Sequence, residues 1–172
     1  MTITKKKGSP SKRKGSTWER AICKFLGDVI GGSFIRVPNS GAFIGRSNSV
    51  RKDYLSGGQI RAAKGDIIPP DNLPKLVIEA KSYKDFPFHQ LMSPGNCKQI
   101  DEWISQTKDC IDDGDVWFLI IKINNKGSYI CYENKLKDEF VIGNHVCYND
   151  YIVTEMETFV KENKDTIIRL CT

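Results

Sequence analysis

The sequence predicts an α/β (α+β) protein, a mixed central β-sheet with helices packed against it. Three observations carry this expectation. Apolar residues recur at helical spacing in two separate stretches, Ile22, Phe25, Leu26, Val29 and Ile30, then Ile100, Trp103, Ile104 and Ile111. Short β-branched runs bounded by turn residues lie between and after them, such as KLVIEAK at 75–81. The run DVWFLIIKI at 115–123 is apolar almost without a break, the pattern of a strand covered on both faces. Helices and strands in this order pack as layers on one sheet.

In chain order, a first helix is expected from Trp18, capped by Ser16 or Thr17 and stopped by Gly31-Gly32. Residues 33–37 read as a strand. Residues 38–64 are irregular and basic, and a stretch of that length inside a domain reads as a functional or disordered loop. A strand pair follows at 65–68 and 75–81, joined by the turn-forming segment PPDNLP. A helix at 96–112 ends at Gly114. After the strand at 115–123, the sequence NNKG turns the chain into a returning strand at 128–132. A helix is expected over 150–161, and 166–170 reads as either a strand or a helix end. The 172 residues amount to one domain. The expected organisation is a disordered basic tail at 1–15 and a single domain at 16–172 with a mobile basic loop at 41–64.

Composition narrows the function. No stretch approaches the roughly 18–20 apolar residues that span a bilayer, and no apolar segment follows the N-terminal lysines, so no membrane partner and a cytoplasmic location are expected (the host cytoplasm if the chain is phage-encoded). The six cysteines form no CxxC, and the only histidines are His89 and His145. That argues against zinc and for reduced, mostly buried thiols. The net charge is +5, and residues 1–14, with six basic groups and no acid, supply the whole excess. A second basic zone holds Arg36, Arg46, Arg51, Lys52, Arg61 and Lys64 against the single acid Asp53, while residues 65–172 are net acidic. Two basic zones on an acidic body point to a polyanionic partner. Trp18, Trp103 and Trp117 read as core residues.

The residues that suggest chemistry are Asp66 and the triplet Glu79-Ala80-Lys81. Side chains at i and i+2 of a strand share a face, so Glu79 and Lys81 point the same way. A hairpin brings Asp66 within reach of Glu79. Two converging carboxylates without histidine suit a hard cation such as Mg²⁺, which binds through one or two carboxylates and keeps waters for phosphate oxygens. Lys81 lies where it can orient or deprotonate water. An exposed ion pair at the end of a strand is the alternative for Glu79 and Lys81.

Gly65-Asp66-Ile67-Ile68 followed by Val77-Ile78-Glu79-Ala80-Lys81 resembles the signature of the PD-(D/E)xK nuclease superfamily. More narrowly, it resembles the archaeal-type Holliday-junction resolvases and their phage relatives. Glu19 falls where that family has a metal-site glutamate, and Arg36-Val37-Pro38-Asn39-Ser40-Gly41 resembles its R-x-P-x-S-G element, whose serine lies near the scissile phosphate. Gln99 resembles a glutamine found after the lysine in many members. The resemblance covers about residues 16–123. It implies a restriction-endonuclease-like sheet and a site with Asp66, Glu79, Lys81, Glu19 and Ser40 as catalytic residues. Glu19, Asp66 and Glu79 would bind one or two Mg²⁺ ions per site, with Mn²⁺ able to substitute. It also implies a homodimer acting on branched or duplex DNA. Arg36, Arg46, Arg51, Lys52, Arg61 and Lys64, together with Lys12, Arg13 and Lys14 of the tail, are the expected phosphate contacts. Nothing in the chain reads base sequence, so recognition by shape and charge is expected. The alternatives are another nuclease of this superfamily (restriction-like, nicking or end-processing) and a non-catalytic DNA-binding module.

Overall fold

The computed structural model describes residues 10–37, 50 and 53–172. Helix α1 (Pro10–Val29) leads into strand β1 (Ile35–Arg36), helix α2 (Gly57–Ala63), β2 (Ile67–Ile68) and β3 (Leu76–Tyr83). Helix α3 (Lys98–Lys108) crosses to β4 (Val116–Ile123), followed by β5 (Gly127–Glu133), β6 (His145–Tyr148), β7 (Tyr151–Glu155), α4 (Met156–Glu162) and α5 (Lys164–Cys171). The strands form one seven-stranded sheet in the order β1-β2-β3-β4-β5-β7-β6. Among the described residues only β3 and β4 pair in parallel, in the register Glu79 to Leu119 and Lys81 to Ile121. The remaining neighbours are antiparallel. The predicted mixed α/β sheet is therefore the observed one.

β4 is central because its sequence leaves it nowhere else to go. All its residues are buried except Lys122. Phe118 and Ile120 pack with Trp18, Ile22 and Leu26 of α1 and with Phe159 and Val160 of α4. Trp117, Leu119 and Ile121 pack on the opposite face with Ile100, Trp103 and Ile104 of α3. β3 shares this division. Leu76 and Ile78 face the α1 side and Val77 the α3 side. Glu79 and Lys81, in phase with Val77, point toward α3. All three tryptophans are buried, as expected.

The structure corrects three expectations. α1 begins at Pro10, not Trp18, so residues 10–15 are helical rather than part of a disordered tail; proline is tolerated there because first-turn N–H groups have no intrahelical acceptor. The basic loop contains α2, whose Ser56 and Gln59 form a reciprocal capping box: the Ser56 N–H donates to Gln59 Oε1 at 2.9 Å and the Gln59 N–H to Ser56 Oγ at 3.3 Å. The segment expected as one helix at 150–161 is a strand followed by a helix. Tyr151–Glu155 pairs with β5 and β6, and the Glu155 carboxylate caps α4 by accepting from the backbone N–H groups of Glu157 and Thr158. Residues 164–171 form a helix, the second of the two readings of 166–170, and β6 is a strand with no counterpart in the sequence reading.

One glycine sets the approach of β2 to β3. Gly65 has φ +66°, and a Cβ there would lie 2.4 Å from the Ile78 carbonyl oxygen. Nothing larger fits between the chain entering β2 and the β3 backbone. Gly65→Ala is expected to destabilise the fold by about 1–3 kcal/mol or more through strain alone, measured by denaturant unfolding, and to displace Asp66. A stability equal to that of the wild type would contradict this role.

Candidate active site

Asp66 is fixed through both its backbone and its side chain. Its N–H donates to the Ile78 carbonyl at 2.8 Å, and its own carbonyl accepts from Val37 N at 2.9 Å. Its carboxylate oxygen Oδ2 accepts from the Ala80 N–H at 2.9 Å. The acid thus occupies a place in the sheet ladder, directly beside Glu79. Both carboxylates are buried, Asp66 at 6% and Glu79 at 5% exposure.

Burial pushes the Glu79 carboxyl up to about 7, and the Asp66 charge and hydrogen-bonding contact push in the same direction. Lys81 opposes the shift. Its Nζ donates to Glu79 Oε1 at 2.8 Å and to Gln106 Oε1 at 2.9 Å. Gln106 comes from α3, across the face that Glu79 and Lys81 share. The lysine is therefore held between a strand carboxylate and a helix amide, with one ammonium proton to spare.

The expected pairing of Asp66, Glu79 and Lys81 is what the structure brings together. The other expected residues lie elsewhere. Glu19 on α1 makes an ion pair with Arg36 of β1, so each occupies the other. Among the described residues no three His, Cys, Asp or Glu side chains converge as a metal-holding group; Glu19 is not a third member of the Asp66–Glu79 pair. Gln99 lies near the start of α3, two turns before Gln106, and it is Gln106 that meets Lys81. Two turns apart, Gln99 and Gln106 lie on the same face of α3, beside the buried stripe of Ile100, Trp103, Ile104 and Thr107, so spacing alone does not choose between them.

Several expected phosphate contacts are engaged internally. Lys64 is buried, with its Nζ 2.5 Å from Asp115 Oδ2 and 2.8 Å from Asp112 Oδ2. Burial alone would lower its pKa, but the two aspartates outweigh it and hold the lysine above its ordinary value. In this state Lys64, expected as a DNA contact, is held by two acids of the chain itself. Lys64 fastens the end of the basic segment to the turn before β4, next to Gly65 and Asp66. Arg61 pairs with the exposed Asp71. Lys14 is exposed on α1. Lys12 and Arg13 fall on the first turn of α1, with their side chains outside the described ones. Ser40, Arg46, Arg51 and Lys52 lie outside the described residues.

Asp66 and Glu79 offer only carboxylate oxygens, adjacent and with no arginine between them. That donor set fits a hard divalent cation, which needs one or two protein carboxylates. A family model described as "Phage putative PDDEXK endonuclease" matches residues 10–169. The chain belongs to that family. Nucleases of the PD-(D/E)xK type hydrolyse phosphodiester bonds in DNA and generally use a divalent metal. No curated protein matches the chain, and no solved structure does. Among the described residues no helix is long and apolar enough to cross a membrane.

Two predictions follow from the charges at the site. Glu79 has its folded-state pKa raised from 4.5 to about 7. Its stabilising contribution is therefore complete below pH 4.5 and is lost as pH rises through 7. Without divalent metal, the melting temperature should fall between pH 5 and pH 8, and Glu79→Gln should flatten that fall; an identical pH slope in the variant would refute the assignment. Lys64→Ala leaves Asp115 buried without its cation and should cost on the order of 3–5 kcal/mol, read from the urea midpoint.

Proposed function

We propose that the protein is a Mg²⁺-dependent, structure-selective DNA endonuclease, with branched DNA and the four-way junction first among its substrates. The observation that carries the nuclease reading is the buried Asp66–Glu79 pair with Lys81 bound to it. The preference for branched DNA rests on the order Glu19, Arg36-Val37-Pro38-Asn39-Ser40-Gly41, Asp66, Glu79-Ala80-Lys81, which resembles the archaeal-type resolvases. A junction has two-fold symmetry and needs two incisions, which a homodimer with two sites would supply.

Asp66 and Glu79 would hold the cation, which supplies Lewis-acid polarisation of the phosphate and lowers the pKa of a bound water. Asp66 is kept in position by the Ala80 N–H, so its carboxylate needs no reorganisation when substrate arrives. Lys81, steered by Glu79 and Gln106, orients the attacking water with its remaining proton and balances negative charge growing on the phosphate. Water adds to phosphorus and the bond to one ester oxygen breaks. The family resemblance implies a product that carries its phosphate on the 5′ end. Glu19 stays with Arg36 unless the DNA backbone draws the arginine away, in which case its carboxylate becomes available at the edge of the site.

The test is cleavage of a four-way junction, a flap, a nicked duplex and a plain duplex in Mg²⁺, with Asp66→Asn and Lys81→Ala alongside. Asp66→Asn and Lys81→Ala should each lower cleavage at least about a hundredfold, as loss of a charge-stabilising group does, while DNA binding persists. Paired symmetric cuts confined to the junction establish the resolvase. Cutting of every substrate keeps the site and replaces the junction preference with a general nuclease. Wild-type cutting rates in Asp66→Asn overturn the site.

A further inference from the structure

β3 and β4 run parallel, so their C-terminal ends emerge at the same edge of the sheet, and the Asn124 N–H ties them by donating to the Tyr83 carbonyl at 3.0 Å. Two adjoining cavities open there. One, of about 470 Å³, is lined by Lys14, Trp18, Ser82, Lys122 and Asn124 among others. The second, of about 490 Å³, shares Lys14, Ser82 and Asn124 and reaches Lys81 and Lys84. Among the described residues, every charged residue lining either cavity is a lysine.

Lys14 and Lys81 were singled out by the sequence; Lys84 and Lys122 were not. Arg36, Arg61 and Lys64 each have a carboxylate partner. Among the described residues, Lys14, Lys84 and Lys122 have no carboxylate within ion-pair distance. Lys122 is the one exposed position of β4. Its Nζ lies 5.1 Å from the centre of the Trp18 ring, which props the stem without neutralising the charge. The nearby acid Asp85 is taken by Lys126 at 2.6 Å. Charge of one sign concentrated in a trough recruits an anion of the opposite sign. Its one link to the catalytic groups is Lys81, so the anion is continuous with whatever occupies the site.

We propose that the substrate strand runs from the catalytic position along this trough, its flanking phosphates held by Lys84, Lys122 and Lys14 and its sugar or phosphate oxygens by Ser82 and Asn124. The proposal rests on the nuclease reading for the identity of the strand, and it adds a path that the basic segment before Asp66 does not provide. The contacts go to the backbone, so the trough holds DNA without reading its sequence.

The experiment uses the full chain carrying Lys84→Gln and Lys122→Gln together. The control is Lys135→Gln with Lys137→Gln, which removes the same charge from the short helix after β5, far along the chain from the site. Binding of a fluorescent duplex and a four-way junction is measured in chelator over a salt series, and cleavage is followed separately in Mg²⁺. The trough variant should bind tenfold or more weakly and lose about two units of salt slope, because each neutralised phosphate contributes about 0.9. Its KM should rise with kcat retained at saturating DNA. The control should keep the wild-type slope. Because Lys122 also packs on Trp18, Lys84→Gln alone is measured as well and should lose about one unit of slope. Wild-type slope and affinity in both trough variants would overturn the proposal while leaving Asp66 and Glu79 as the nuclease site. Absence of cleavage by the wild type would overturn the nuclease reading, and the slopes in chelator would still decide the trough.

Discussion

Two carboxylates buried side by side repel, and in this fold nearly every local device exists to keep Asp66 and Glu79 together. Asp66 cannot retreat, because its N–H and one carboxylate oxygen are both committed to β3. It reaches that position only because Gly65 lets the chain pass within a Cβ's radius of the Ile78 carbonyl. Glu79 cannot retreat, because the β3 register fixes it opposite Leu119 in a sheet buried on both faces. Burial and, after it, the Asp66 charge appear as a raised affinity of Glu79 for a proton. A proton is one way to relieve the repulsion, and a divalent cation is the other. A pair held apart by flexible side chains would have no such demand.

The cations near the site divide by environment. Lys64, Arg36 and Arg61 are drawn onto carboxylates of the chain itself, where they hold segments in place: Lys64 the entry to β2, Arg36 the contact between β1 and α1. Lys81 is intermediate, bound to Glu79 and Gln106 yet open on one side. A charge count along the sequence treats all of them alike. The fold separates them, because an ion pair depends on which acid comes within reach, and Asp112 and Asp115 lie about fifty positions from Lys64 in the chain.

What was legible in the sequence followed periodicity. The two-sided burial of β4 was visible in VWFLII, and the shared face of Glu79 and Lys81 in their spacing of two. The turn at PPDNLP placed Asp66 beside Glu79 because local chemistry fixes a hairpin. Features set by distant partners were not legible. YIVTE carries strand residues, but its adjacency to the amphipathic METFVKE made one helix look continuous, and only pairing with β5 and β6 decides otherwise. Gln99 and Gln106 are both glutamines on the same helix; choosing between them requires knowing how far along β3 the helix crosses. The α2 capping box was present as Ser56-x-x-Gln59 and was masked by the surrounding glycines.

The Lys64 clamp also bears on the order of assembly. Asp66, Glu79 and Lys81 all lie within sixteen positions of one another, yet the residues that restrain them come later in the chain: Gln106 on α3, Asp112 and Asp115 in the turn before β4, and Leu119 as the register partner of Glu79. Contacts of long sequence separation form late because loop closure must come first. A nascent chain ending before about residue 106 would carry all three site residues and none of these distant restraints. The geometry of the candidate site is thus a property of the finished sheet, and the growing polypeptide acquires it only once β4 has docked.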